Sequence, residues 1–159
     1  MINILGDFEM INNKISEFFI SFGTHKNMVL STAANNEVHS RMMSIVCFDE
    51  KFYFQTDENF NKCCDIEVNC NVSLCIDNIS IEGLCSCIGK PAENKKFCEI
   101  FKTAFPKSYE LYTNLENEVL YEIVPQYIKL WQYENNEPYI KIYDIKLREI
   151  KIERYLLDK

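Results

Sequence analysis

Polar turn segments punctuate this chain at Asn35-Asn36, Asp49-Glu50-Lys51, Asp77-Asn78 and Glu134-Asn135-Asn136. Asn and Asp tolerate the left-handed backbone that tight hairpins demand. On either side of these turns lie short β-rich runs at 28–33, 38–48, 52–56, 72–76, 81–90, 120–133 and 139–145. In the fourth run Val72, Leu74 and Ile76 alternate with Ser73, Cys75 and Asp77, the period of a half-buried strand. Runs joined by tight turns predict an antiparallel meander. Six or seven short strands with helices at the edges predict a mainly β protein closed into a small barrel, because closure removes exposed edges.

Helical spacing interrupts the pattern in three places. Met10, Ile11, Ile15, Phe18, Phe19 and Phe22 predict an amphipathic opening helix stopped at Gly23. Asp57 or Asn59 is expected to cap a short helix whose apolar side carries Phe60, Cys63, Cys64 and Val68. Pro91 suits a first helical turn, and Phe97, Ile100, Phe101, Ala104 and Phe105 form a stripe ended by Pro106. Residues 107–118 read as irregular, and the segment after Lys146 suits either a strand or a helix. The 159 residues predict a single domain, 1–159, with one core.

Composition narrows the function classes. Acidic residues outnumber basic ones 24 to 17, a net charge of −7, so nucleic acid is not an expected partner. Apolar runs are short and the first residues lack an export pattern, so neither a membrane segment nor a leader is expected. The eight cysteines then read as reduced thiols of a cytoplasmic protein, most of them small buried hydrophobes. There is no Cys-x-x-Cys pair, and His25 and His39 are not spaced to complete a metal set, so no metal is expected.

Several loosely defined motifs then occur in a particular order. They are His39-Ser40-Arg41-Met42-Met43-Ser44, Tyr53-Phe54-Gln55-Thr56, Asn61-Lys62, a strand around Val72, Gly89-Lys90, and Ile128-Lys129-Leu130-Trp131-Gln132. In this order, across 27–132, the chain resembles the pyridoxamine 5′-phosphate oxidase-like family. The resemblance implies a six-stranded antiparallel split barrel that forms a homodimer, with FMN in clefts between the subunits. It places Arg41, Met42, Met43 and Ser44 beside the flavin, Gln55 and Thr56 on the next strand, and Asn61 and Lys62 near the phosphate. It also implies that Leu84 faces the cofactor and that Trp131 belongs to the strand flanking it.

These residue types suit a phosphate on physical grounds. Arg41 offers a forked donor pair, Lys62 a compact charge, Thr56 a hydroxyl, and the start of the short helix free N–H groups. Met42, Met43 and Trp131 suit the wall of a flat ring. Where the pyridoxine-phosphate oxidases carry further basic residues, this chain has Val46 and Asn61, leaving Lys26 or another residue to substitute. Their Arg and His cluster after the tryptophan strand is replaced by Glu134-Asn135-Asn136-Glu137-Pro138-Tyr139, which repels a phosphorylated substrate. The expectation is an FMN-dependent oxidoreductase acting on a small substrate other than pyridoxine phosphate, with no side chain marked as acid or base. The alternatives are a flavin or haem binding module without turnover, and a dimeric interaction domain without ligand.

Overall fold

A computed structural model of the chain describes residues 4–155. Helix α1 (Ile4–Phe22) is followed by strands β1 (His25–Ala34), β2 (Glu37–Phe48) and β3 (Lys51–Asp57). Next come helix α2 (Asn61–Val68), strands β4 (Asn71–Ile76) and β5 (Ile79–Gly89), and helices α3 (Lys95–Ala104) and α4 (Pro106–Tyr112). Strands β6 (Glu118–Glu134), β7 (Glu137–Asp144) and β8 (Glu149–Arg154) complete the chain. The strands run in the order β3-β2-β1-β4-β5-β6-β7-β8, and β3 also pairs with β6. That last pairing closes the first six strands into an antiparallel barrel, with β7 and β8 as an extension.

The turns behave as their composition requires. Asn35 and Asn36 (φ 52° and 65°), Asp49 and Glu50 (50° and 57°), and Asn135 and Asn136 (52° and 63°) all occupy the left-handed region. Paired positive φ values give the twist that matches a hairpin to its strands. Gly83 has a different reason to be glycine: a Cβ there would stand 2.6 Å from Ile123 Cγ2 and 2.9 Å from the Val124 carbonyl oxygen. The β5–β6 register shifts at this point, with Gly83 opposite Pro125.

Inward-facing residues of the strands fill the barrel. Met28, Leu30, Ile45, Phe52, Phe54, Leu74, Ile81 and Ile123 have no solvent exposure. Helix α1 packs Ile15, Phe18, Phe19 and Phe22 against this core, with Phe22 edge-on to Phe52 at 5.3 Å. Gly23 (φ 85°) ends α1 by donating its N–H to the Phe19 carbonyl at 3.1 Å. No helix among the described residues is long and apolar enough to cross a membrane.

The structure departs from the sequence reading in several places. The N-terminal residue of α2 is capped by no side chain; Asp57 instead accepts the Asn59 N–H at 2.8 Å in a turn ahead of the helix. The buried face of α2 carries Lys62, Cys63, Asp65 and Ile66, while Phe60, Cys64 and Val68 are exposed. Residues expected to be irregular form α4, which Pro106 starts at a position needing no N–H donor. The segment after Lys146 resolves as β8, paired with β7. Only Cys47, Cys63 and Cys85 are buried; Cys64, Cys75 and Cys87 are exposed on outward positions of their helix and strands, and Cys70 is exposed in the link between α2 and β4. The expected lack of a leader rests in part on residues 1–3, which lie outside the described residues.

Candidate functional site

Strand alternation sorts the candidate residues before any ligand is considered. On β2, His39, Arg41 and Met43 project to one side, and Val38, Ser40, Met42 and Ser44 to the other. Helix α2 covers the first side. There Arg41 shares a surface recess with Asn59, Phe60, Asn61 and Lys62 at the start of α2. Phe60 and Lys62 also line a cavity of about 360 Å³, together with Met43, Gln55, Thr56 and Glu118. Its volume suits a small ligand.

Lys62 joins the two recesses. Its side chain is 8% exposed, and Nζ donates to Thr56 Oγ1 at 2.9 Å while lying 4.4 Å from the Phe60 ring centroid. Burial lowers its pKa, as does Arg41, while Cys63, Glu118 and Asp57 oppose the shift. An amine with a hydroxyl as its hydrogen-bond partner retains donors for an anion.

Arg41 is held by a network that the sequence did not reveal. It donates to Thr32 Oγ1 at 2.8 Å and approaches Asp65 Oδ2 at 3.9 Å; Asp65 in turn accepts from Thr32 at 2.6 Å and lies 3.0 Å from His39 Nδ1. The Thr32 hydrogen bond, with help from His39 and Arg41, outweighs burial and lowers the Asp65 pKa. Lys62 and Asp65 stand three apart on one helix face, a spacing that marks a shared environment. Asp65 therefore fixes where the Arg41 fork points and cancels part of its charge. Asp65→Asn removes the negative charge that Thr32, His39 and Arg41 surround, and an expected loss of about 2–3 kcal/mol should appear in urea unfolding at pH 7. That contribution fades as pH falls through the depressed Asp65 pKa, so the variants should converge in acid.

Glu118 is the other residue the sequence did not mark, since it lies among Glu116 and Asn117 like an ordinary turn acid. It is 5% exposed and sits directly across the β3–β6 ladder from Asp57. Burial raises its pKa to about 7; Asp57 adds to the rise, and Gln55, Lys62 and Lys90 oppose it. Gln55 also accepts from Thr113 at 2.9 Å, which ties the cavity wall to the end of α4.

The remaining candidates lie elsewhere. Met42, paired with Val29, is exposed on the outer face of the barrel, as are Ser40 and Leu84. Ser44 itself donates to Asn27 Oδ1 at 3.3 Å on that face. Trp131 lies 13 residues beyond Glu118 on β6, roughly 40 Å along the strand. It packs with Tyr133 of the same strand and with Tyr155, which follows β8. Within one chain the cleft therefore gathers Arg41, Met43, Gln55, Thr56, Asn61 and Lys62, and the outer face carries Met42, Ser44, Leu84 and Trp131. Val46 is fully buried in a cluster with Tyr53, Phe97, Phe101 and Leu120, so no basic residue fits there. Lys26 lies 5.2 Å over the Phe22 ring and does not line the cleft.

The fold can now be compared with known proteins. No family model and no curated protein matches the sequence. General stress protein 26 from Bacillus anthracis superposes with a TM-score of 0.55 at 28% identity, over 73% of this chain and 89% of that one. A pyridoxamine 5′-phosphate oxidase-related, FMN-binding protein from Nostoc punctiforme gives 0.56 at 12% identity, over 99% of both chains. The chain has the split-barrel fold of these pyridoxamine 5′-phosphate oxidase-related proteins. HutZ, the haem storage protein of Vibrio cholerae, shares this split-barrel fold with a TM-score of 0.54 at 16% identity, over 72% of this chain and 89% of that one. Split barrels thus serve different ligands, and the ligand of this one has to be argued from its cleft.

Proposed function

We propose that this protein is an FMN-binding split-barrel homodimer acting as a flavin-dependent oxidoreductase on a small molecule. The observation that carries the reading is the meeting of Arg41 and Lys62 at the start of α2, with Thr56 beside them and an adjoining cavity. Two cations, a hydroxyl and the free N–H groups of a helix start form a donor set that matches a phosphate monoester. Arg41, Asn61 and Lys62 would hold the phosphate, and Met43 and Gln55 would border the rest of the molecule. The bound flavin would supply the electron transfer; the chain's part is to bind it, orient it and exclude water.

The outer face supports the dimer. Val38, Met42, Leu84 and Tyr127 are exposed there among small uncharged residues such as Ser31, Ser40 and Ser73. A second copy seated on this face would bring Met42, Ser44, Leu84 and Trp131 toward a partner's cleft, uniting the two groups of candidate residues. The acidic segment 134–139, with Glu134 and Glu137, continues to argue against a phosphorylated substrate.

The purified protein is expected to show visible flavin absorbance or, if colourless, to quench the fluorescence of added FMN in a saturable titration. A colourless protein that ignores FMN sinks the reading. Storage or sensing without turnover is the second reading, favoured by the fold shared with a haem storage protein. Catalytic reduction of the flavin-loaded protein by a nicotinamide cofactor would eliminate it.

A further inference from the structure

Glu118 places a buried carboxyl in the same cavity as the cation assigned to the phosphate. The charged groups around it come from every element that packs there. Asp57 on β3 lies directly opposite, Lys62 reaches in from α2, Lys90 approaches from the end of β5, and Gln55 contributes a neutral amide. Arg41 stands behind Lys62, and Tyr112 of α4 lines the far wall. Lys90 is also engaged with the Glu116 carbonyl. Lys62 is the cation that lines both this cavity and the recess beside Arg41.

We propose that anion binding in this cleft is coupled to a proton: as a phosphate monoester settles on Lys62, Glu118 takes one proton from solvent and remains as the neutral acid. This rests on the FMN reading above. The charges balance simply: the phosphate dianion adds negative charge beside Lys62, and the proton taken from solvent cancels the charge of Glu118. No bond of the ligand is broken. The pair Asp57 and Glu118 already disfavours two adjacent carboxylates, and an added dianion makes the charged form of Glu118 harder to keep. Because the free carboxyl titrates near pH 7, the coupling falls in the physiological range. Glu118 thereby acts as a specificity-determining group: it penalises phosphate-bearing ligands above neutrality and leaves neutral analogues untouched.

The test is calorimetric titration of the apoprotein with FMN at pH 8, repeated in buffers of different ionisation enthalpy. At that pH the FMN phosphate is already a dianion, so any proton taken up belongs to the protein. Wild-type protein is expected to take up close to one proton per FMN. Glu118→Gln is expected to take up none and to bind roughly tenfold more tightly at pH 8, with the advantage gone by pH 6. Equal proton uptake in wild type and variant, or none in wild type, overturns the proposal while leaving the FMN reading intact. Failure of wild type to bind FMN removes both. If the variant does not fold, wild type decides alone: uptake at pH 8 that disappears by pH 5.5 upholds the coupling, and a flat profile overturns it.

Discussion

Lys62→Met is expected to weaken FMN binding roughly 30- to 150-fold while leaving the fold intact. The estimate follows from the loss of one charge-assisted contact to a phosphate, about 2–3 kcal/mol, with each ~1.4 kcal/mol worth tenfold. The apoprotein should tolerate the change because burial already penalises the Lys62 ammonium, and methionine occupies similar volume without a charge. The Thr56 hydroxyl loses a donor but can turn to accept or donate elsewhere. Fluorescence titration with FMN and with riboflavin separates the causes. Loss confined to FMN places Lys62 at the phosphate, whereas equal loss for both ligands would mean that the cleft itself had changed.

Phe52→Ala is expected to cost about 3–5 kcal/mol, near the top of what one core truncation removes. Phe52 has no exposure and sits where β3 meets the opening helix, 5.3 Å from the Phe22 ring and 5.9 Å from that of Phe19. Removing it opens a void between two elements that are rigid for other reasons: β3 is hydrogen-bonded to both β2 and β6, and α1 is fixed by its own aromatic row. The site collapses poorly, so the cavity term adds to the lost transfer energy. Thermal unfolding should shift down by roughly 10 °C or more for a chain of this size. A shift of only a few degrees would mean that α1 repacks freely onto the barrel.

These two residues also mark what local chemistry reveals. Turn dipeptides of Asn and Asp, period-two alternation and the aromatic row of α1 depend on neighbours along the chain, and each produced the element expected of it. Phe52 was recognisable as part of a β-rich run, and its place at the contact with α1 came only from the structure. Arg41 and Lys62 stood out as phosphate candidates only through the order of the motifs around them, since 17 basic residues are spread along the chain. The four-residue run Arg41-Met42-Met43-Ser44 was less legible as a site, since alternation sends only Arg41 and Met43 toward the cleft.

Sequence by itself determined the strands, the hairpins and the opening helix, because these follow from residue type and short-range spacing. Tertiary structure alone decided that β3 pairs with β6 to close the barrel, which sets Asp57 opposite Glu118. It alone placed Asp65 beneath Arg41 and His39, and Val46 in an apolar cluster. The physical reason is that burial and electrostatic coupling depend on which distant segments meet. Glu118 is an unremarkable acid until closure removes its water and gives it a second carboxylate and a lysine for neighbours.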